Sequence, residues 1–234
     1  LPLVNYPSHY SNIEYDDSIF TNKVEYVNCT IEDMSGVLAG FTGINLNDGY
    51  VKVAHSNNFN FGDQDFTICF WYDPEDTSGV KYILSKAFTK TVESTPTFPN
   101  LTKDSGSAQF GPQNVDAGPS TPFSIIANGS TLSFIRKSPD KKISISTNLD
   151  GGLTHYTFVK RGTTIEIYKD GVSATTGTDT VVACKNKADL FIGSKGANSP
   201  DVPTAGGLIS QINIFSKALS DADVERIYNT KTGS

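Results

Sequence analysis

A chain of 234 residues with 20 Gly, 11 Pro, 37% hydrophobic and 11% aromatic residues has the size of one large β domain and a turn-rich, rather polar make-up. Its formal net charge of −6 excludes phosphate backbones and anionic lipid surfaces as partners, because both demand a basic face. Nucleic-acid binding is therefore excluded, and so is membrane insertion, since no apolar run approaches the roughly 20 residues that span a bilayer.

Residues 1–36 open with LPLVNYPSHY, which lacks the basic start and apolar core of a secretion signal, so any such leader is expected to have been removed. This Asn-, Tyr- and Asp-rich stretch is expected to wrap the body as a short strand and loops, and it closes on Asp33-Met34-Ser35-Gly36. Residues 37–234 then read as one domain. AGFTGINLNDGYVKVA (39–54), FTICFWYDPEDTSG (66–79) and KYILSKAF (81–88) are β-rich runs, the second ending in an acidic turn. Residues 88–122 break the pattern with Thr, Ser, Pro, Gly and Asn, and a loop this long inside a compact domain is a functional insertion or a disordered one.

Beyond it, PFSIIANG, STLSFIRK and KKISISTNL (122–129, 130–137 and 141–149) alternate small or apolar with polar residues. They are separated by Asn128-Gly129 and Ser138-Pro139-Asp140, which predicts three antiparallel strands joined by tight turns. HYTFVKRGTTIEIYKDGV (155–172) reads as a hairpin with Phe158, Ile165, Ile167 and Tyr168 in its strands, and Asp170-Gly171 tolerates the positive φ of a tight turn. LFIGSKG (190–196) adds a strand, and GGLISQINIFSKALSDADVERIYN (206–229) a long strand and one short helix. Ser220 supplies the N-cap, Asp221 and Asp223 sit where the helix dipole favours anions, and Val224, Ile227 and Tyr228 share a face. The helix is expected to lie as a lid on the β core, with Ile212, Ile214, Val224 and Ile227 contributing to one core.

Three cysteines cannot all pair within one chain. Cys29 and Cys184 would bridge if their Cα atoms came within about 7 Å, and three free thiols is the plainer alternative. Sequons at Asn28, Asn100 and Asn128 are about as many as chance supplies and carry no argument.

In this order the motifs resemble the laminin-G-like and pentraxin-like jelly rolls of the concanavalin A-like lectin/glucanase superfamily. The C-terminal hairpin, strand and helix carry most of the likeness. FTICFWYDPEDTSG is similar to the family's strand of alternating aromatic and small residues, AGFTGINLNDGYVKVA to its "FDG…DYV" strand, and Asp33-Met34-Ser35-Gly36 to its Asp-x-Ser-Gly opening. The resemblance implies an all-β, two-sheet antiparallel jelly-roll sandwich with one short C-terminal helix. Cys69 stands where pentraxins place a disulfide cysteine, but Thr157 holds the partner position, so that bridge is lost.

Catalysis finds little in the residues. A laminarinase-type Glu-x-Asp-x-x-Glu pattern begins at Glu14-Tyr15-Asp16 but meets Ile19 where the second Glu should stand, and a retaining glycosidase needs two carboxyls about 5 Å apart. His155 matches a structural histidine of the family, and Trp71 a core tryptophan. The pentraxin-type calcium position is held by Ser194-Lys195-Gly196-Ala197, which offers no carboxylate, so no cofactor is expected. Asp33 and Asp48 remain as candidates for a structural calcium, against their simpler role as turn and cap residues. Candidate ligand contacts are the acidic turn Asp73, Glu75 and Asp76, the insertion aromatics Phe98 and Phe110, and Asn198 and Asp201 in a later loop.

The function these residues support is a non-enzymatic recognition or adhesion module of an extracellular or virion-surface protein, with a glycan or glycoprotein as partner and homo-oligomerisation open to it. The rival reading is a structural or fibre domain of a viral particle without a ligand. A glycoside hydrolase is disfavoured by the missing carboxylate pair.

Overall fold

The structure, a computed structural model, describes residues 13–15, 22–35, 37–38, 41–47, 49–87, 120–182, 184–196 and 205–230. Two antiparallel sheets face each other. One has eight strands in the order β1 (Ile13–Tyr15), β2 (Lys23–Val27), β5 (Tyr50–Val53), β14 (Leu190–Ile192), β7 (Val80–Ser85), β8 (Thr121–Asn128), β9 (Thr131–Lys137) and β10 (Lys142–Asn148). The other has seven: β13 (Val172–Thr178), β12 (Thr164–Lys169), β11 (Thr154–Arg161), β6 (Phe66–Asp73), β15 (Leu208–Phe215), β4 (Thr42–Asn45) and β3 (Thr30–Asp33). The three strands expected from 122–149 are β8, β9 and β10, and the expected hairpin is β11 and β12. Most of the 88–122 stretch lies outside the described residues, and β8 begins at Thr121.

Period-two alternation decides what each strand buries. On β6, Phe66, Ile68, Phe70 and Tyr72 point between the sheets, where they meet Tyr156 and Phe158 of β11 and Phe123, Ile125 and Phe134 of β8 and β9. The other face of β6 carries Thr67, Cys69 and Trp71, and these are buried as well. That strand therefore needs a cover on its outer side.

Helix α1 (Asp221–Asn229) helps supply it. Ser220 caps the helix by accepting from the Asp223 N–H, while Asp223 accepts in return from the Ser220 backbone N–H. Val224 packs with Val159, Tyr168 and Leu219 on the outer face of the seven-stranded sheet, with Ile227 against them. Beside this cluster, Met34, Leu38 and Trp71 form another, packed by Leu208 and Tyr228. The expectation of a single core for Ile212, Ile214, Val224 and Ile227 is thus corrected. Ile212 and Ile214 belong to the inter-sheet core, whereas Val224 and Ile227 lie outside the sandwich.

A bulge in β15 is the local reason that Ile209 and Ile212 both face inward. The register with β6 breaks between Ser210 and Asn213, and Gln211 takes φ +48°, so two residues three apart share a face. At one side the sheets close on each other. A Cβ on Gly177 of β13 would stand 2.7 Å from the Ile145 side chain of β10, so only glycine lets the two edges approach this closely. The buried Arg136–Asp179 ion pair braces the neighbouring loops, with Arg136 Nε donating to the Pro122 carbonyl at 2.9 Å.

Candidate functional site

The acidic turn after β6 is occupied by its own structure. Asp76 accepts from the Ser78 N–H and hydroxyl at 2.7 Å each and from Lys81 Nζ at 2.9 Å. The Ser78 bonds, with Lys81 behind them, hold its carboxyl well below the usual carboxylate range. Asp73 is half-buried and Glu75 exposed. The chain at Gly207 presses so closely on this turn that a Cβ there would lie 2.1 Å from the Asp73 carbonyl oxygen. Asp33 behaves alike, accepting from the Ser35 N–H at 2.8 Å and hydroxyl at 2.9 Å, which lowers its pKa. Asp48, Phe98, Phe110, Asn198 and Asp201 lie outside the described residues. Among the described residues, no three His, Cys, Asp or Glu side chains gather as metal ligands.

Trp71 is 2% exposed and packs between His155, 5.0 Å away, and Tyr228, 5.7 Å away. It supports the helix from beneath and offers no face for stacking a sugar. All three cysteines are free thiols. Burial pushes Cys69 up to about 12 and Cys184 up to about 11, so both stay protonated at neutral pH.

One buried polar knot lies where β7 ends. Lys86 is fully buried, donates to the Ala188 carbonyl and faces His55 Nδ1 at 3.0 Å. Burial lowers Lys86 to about 8 against the pull of Asp189, while burial and then Lys86 lower His55. Asp189 in turn accepts the His55 backbone N–H at 2.8 Å. These groups satisfy one another and the backbone.

A groove of about 590 Å³ opens between the β12–β13 turn and α1. The turn is tight because Asp170 and Gly171 both take positive φ, +49° and +80°, the geometry predicted from the Asp-Gly pair. It brings Gly171 against the helix, where a Cβ would meet the Tyr228 ring at 3.3 Å. Tyr168, Val172, Ala222 and Tyr228 give the groove its apolar surface, and Asp170, Asp221 and Glu225 line it with carboxylates. Val172 is 70% exposed, which is costly for a β-branched apolar side chain in water.

Its walls are fixed by a network that reaches behind the groove. The Tyr168 hydroxyl donates to Asp221 Oδ1 at 2.6 Å, and Arg161 donates to the same oxygen and to the Leu219 carbonyl, each at 2.7 Å. Arg161 also holds Glu166 at 2.7 Å, and Glu166 accepts from Ser173 Oγ at 2.5 Å. Asp170 Oδ1 accepts the His155 backbone N–H at 3.0 Å. The bond from Tyr168 and the charge of Arg161 hold the Asp221 carboxyl below the usual carboxylate range. Chemically, the site presents oriented acceptors beside tyrosine and aliphatic surface.

Sequence reasoning identified these residues singly as a turn, an N-terminal helix charge and a helix face, and did not gather them. Asp221 and Glu225 at i and i+4 were legible as neighbours on one helical side. The approach of Asp170 was not, because no local pattern says which hairpin a C-terminal helix will meet.

A laminin-G-type family model described as the concanavalin A-like lectin/glucanases superfamily matches residues 45–225. No curated protein sequence matches the chain significantly. Among solved structures, the chain is similar to the binding domain of Paraclostridial Mosquitocidal Protein 1, with TM-score 0.64 and 18% identity over 94% of this chain and 50% of that one. It is also similar to the binding domain of botulinum neurotoxin DC in complex with rat synaptotagmin II, with TM-score 0.64 and 16% identity over 93% and 48%. A third match is a botulinum neurotoxin type C structure whose cell entry is described as dependent on interaction with two ganglioside molecules, with TM-score 0.65 and 16% identity over 93% and 48%. The chain thus spans about half the length of these structures.

Proposed function

From the premise that the chain belongs to the concanavalin A-like lectin/glucanase superfamily, we propose that it is a non-enzymatic recognition module working outside the cell, with a glycan or glycoprotein as partner. The observation that carries this reading is the groove between the β12–β13 turn and α1, whose walls are hydrogen-bonded in place before any ligand arrives. Preformed acceptors cost less to bind with than loops that must first be ordered. The toxin binding domains of the same fold, one of them in complex with rat synaptotagmin II, support the reading by analogy.

The test measures wild-type binding to a panel of immobilised glycans and to intact cells, beside Ala222→Trp, which fills the groove from an exposed helix position. The wild type should bind at least one surface, and the variant should lose that binding at an unchanged melting temperature. Absence of binding to every glycan and cell type would refute the recognition reading. Full binding by the variant would move the site elsewhere on the surface.

A further inference from the structure

We infer that the groove between the β12–β13 turn and α1 docks a basic segment of a protein partner, seating one lysine or arginine side chain. This rests on the reading of the domain as a recognition module and assigns the groove to the polypeptide of a glycoprotein partner rather than to its glycan. Charge complementarity carries it. Asp170, Asp221 and Glu225 face the groove, and among the described residues its lining has no Lys, Arg or His. Arg161 meets Asp221 from behind and is shared with Glu166. Glu225 enters no ion pair among the described residues, and the adjacent Arg226 is held by Asp223. The molecule as a whole carries −6, so no distant excess of positive charge compensates the groove.

The apolar part of the surface fits the same occupant. A lysine or arginine lays its methylene stem on aliphatic and aromatic carbon while its head stays among acceptors. Val172, Ala222 and the Tyr228 ring provide that carbon, and Glu225 and Asp170 provide the acceptors. A cation beside a tyrosine face gains further attraction. A volume of about 590 Å³ holds such a side chain with its flanking backbone. A sialylated or uronic-acid glycan brings its own carboxylate to this field and is repelled. A neutral glycan would shield the carboxylates from water without returning a charge.

Amide shifts in ¹⁵N NMR test this on the full chain, with N-acetyl-Gly-Lys-Gly-amide, the same peptide acetylated at Nε, lactose and sialyllactose as probes. The lysine peptide, at up to about 20 mM, the range in which a single-residue ligand registers, should shift residues 170–173 and 222–229. The Nε-acetylated peptide should not. Glu225→Gln and Asp170→Asn should each weaken binding by about two- to fivefold, as for an exposed ion pair, and Asp140→Asn at the far β9–β10 turn should leave it unchanged. No localised shift with the lysine peptide, or equal shifts with both peptides, overturns the inference whatever the variants do. Shifts at the groove with lactose or sialyllactose alone overturn it while sparing the recognition reading. Failure of all four probes together with absent binding to cells and glycans removes both.

Discussion

Thr157 shows how a single buried polar atom bears on stability. It stands opposite Cys69 in the β6–β11 register, both are fully buried on the outer face, and among the described residues its hydroxyl has no hydrogen-bond partner. An unpaired buried hydroxyl costs about 1–3 kcal/mol. Thr157→Val, which keeps the branch and removes the polar atom, should raise the urea midpoint by a comparable stability at unchanged m-value; a lower midpoint would show that the hydroxyl is satisfied in solution. Trp71 gives the opposite case. Its removal in Trp71→Ala should cost about 3–5 kcal/mol through the cavity it leaves. Because Tyr228 stacks on Trp71, the variant should also loosen one wall of the groove. Denaturant titration reads the first effect and slower Tyr228 ring rotation in the wild type than in the variant the second.

At the scale of elements, much was legible because local chemistry names turns and caps. Asp170-Gly171 gave the β12–β13 turn and Ser220 with Asp223 gave the start of α1. The strand FTICFWY also held a clue to the outer cluster, since Thr67, Cys69 and Trp71 are less polar than a solvent face would require. What stayed hidden was long-range. The β15 bulge shows only in the broken register between Ser210 and Asn213 against β6, and the helix could have packed on either side of its sheet. The acidic turn was legible as a cluster, but Lys81 and Ser78 take up its carboxylate, and only coordinates reveal that. The contact of β10 with β13 belongs to the same class of fact. Gly177→Ala should cost about 1–3 kcal/mol by overpacking against Ile145, and shortening the partner in Gly177→Ala/Ile145→Val should recover part of it. An unaffected melting temperature in the single variant would mean that the edges do not meet.

For the whole molecule, proton linkage fixes how stability varies with pH. Burial and then the charge of Lys86 hold His55 below its ordinary value of 6.5 in the folded state, so just below that value the unfolded chain binds more protons. The His55 contribution to stability should be fully present above about pH 6.5 and be lost as the pH drops below it, because the unfolded chain takes up the proton that the buried site beside Lys86 resists. The lowered carboxylates Asp33, Asp221 and Asp223 act in the same sense further down, below 3.8. His55→Gln should flatten the slope of urea midpoint against pH below about 6.5; an unchanged slope would place its origin elsewhere.

The meeting of β10 and β13 at Gly177 also governs how molecules treat one another. Exposed strand borders are templates on which a second chain can crystallise its own backbone, and fibrils grow that way. Here the terminal strands of both sheets turn toward each other on that side, so neither offers a continuous row of unpaired amides to a neighbour. Among the described residues the border at β3 pairs only with β4; it is four residues long, exposed, and carries Glu32 and Asp33, whose charges repel an identical strand laid alongside. These two borders are thus guarded in different ways, one by the geometry of closure and one by like charge.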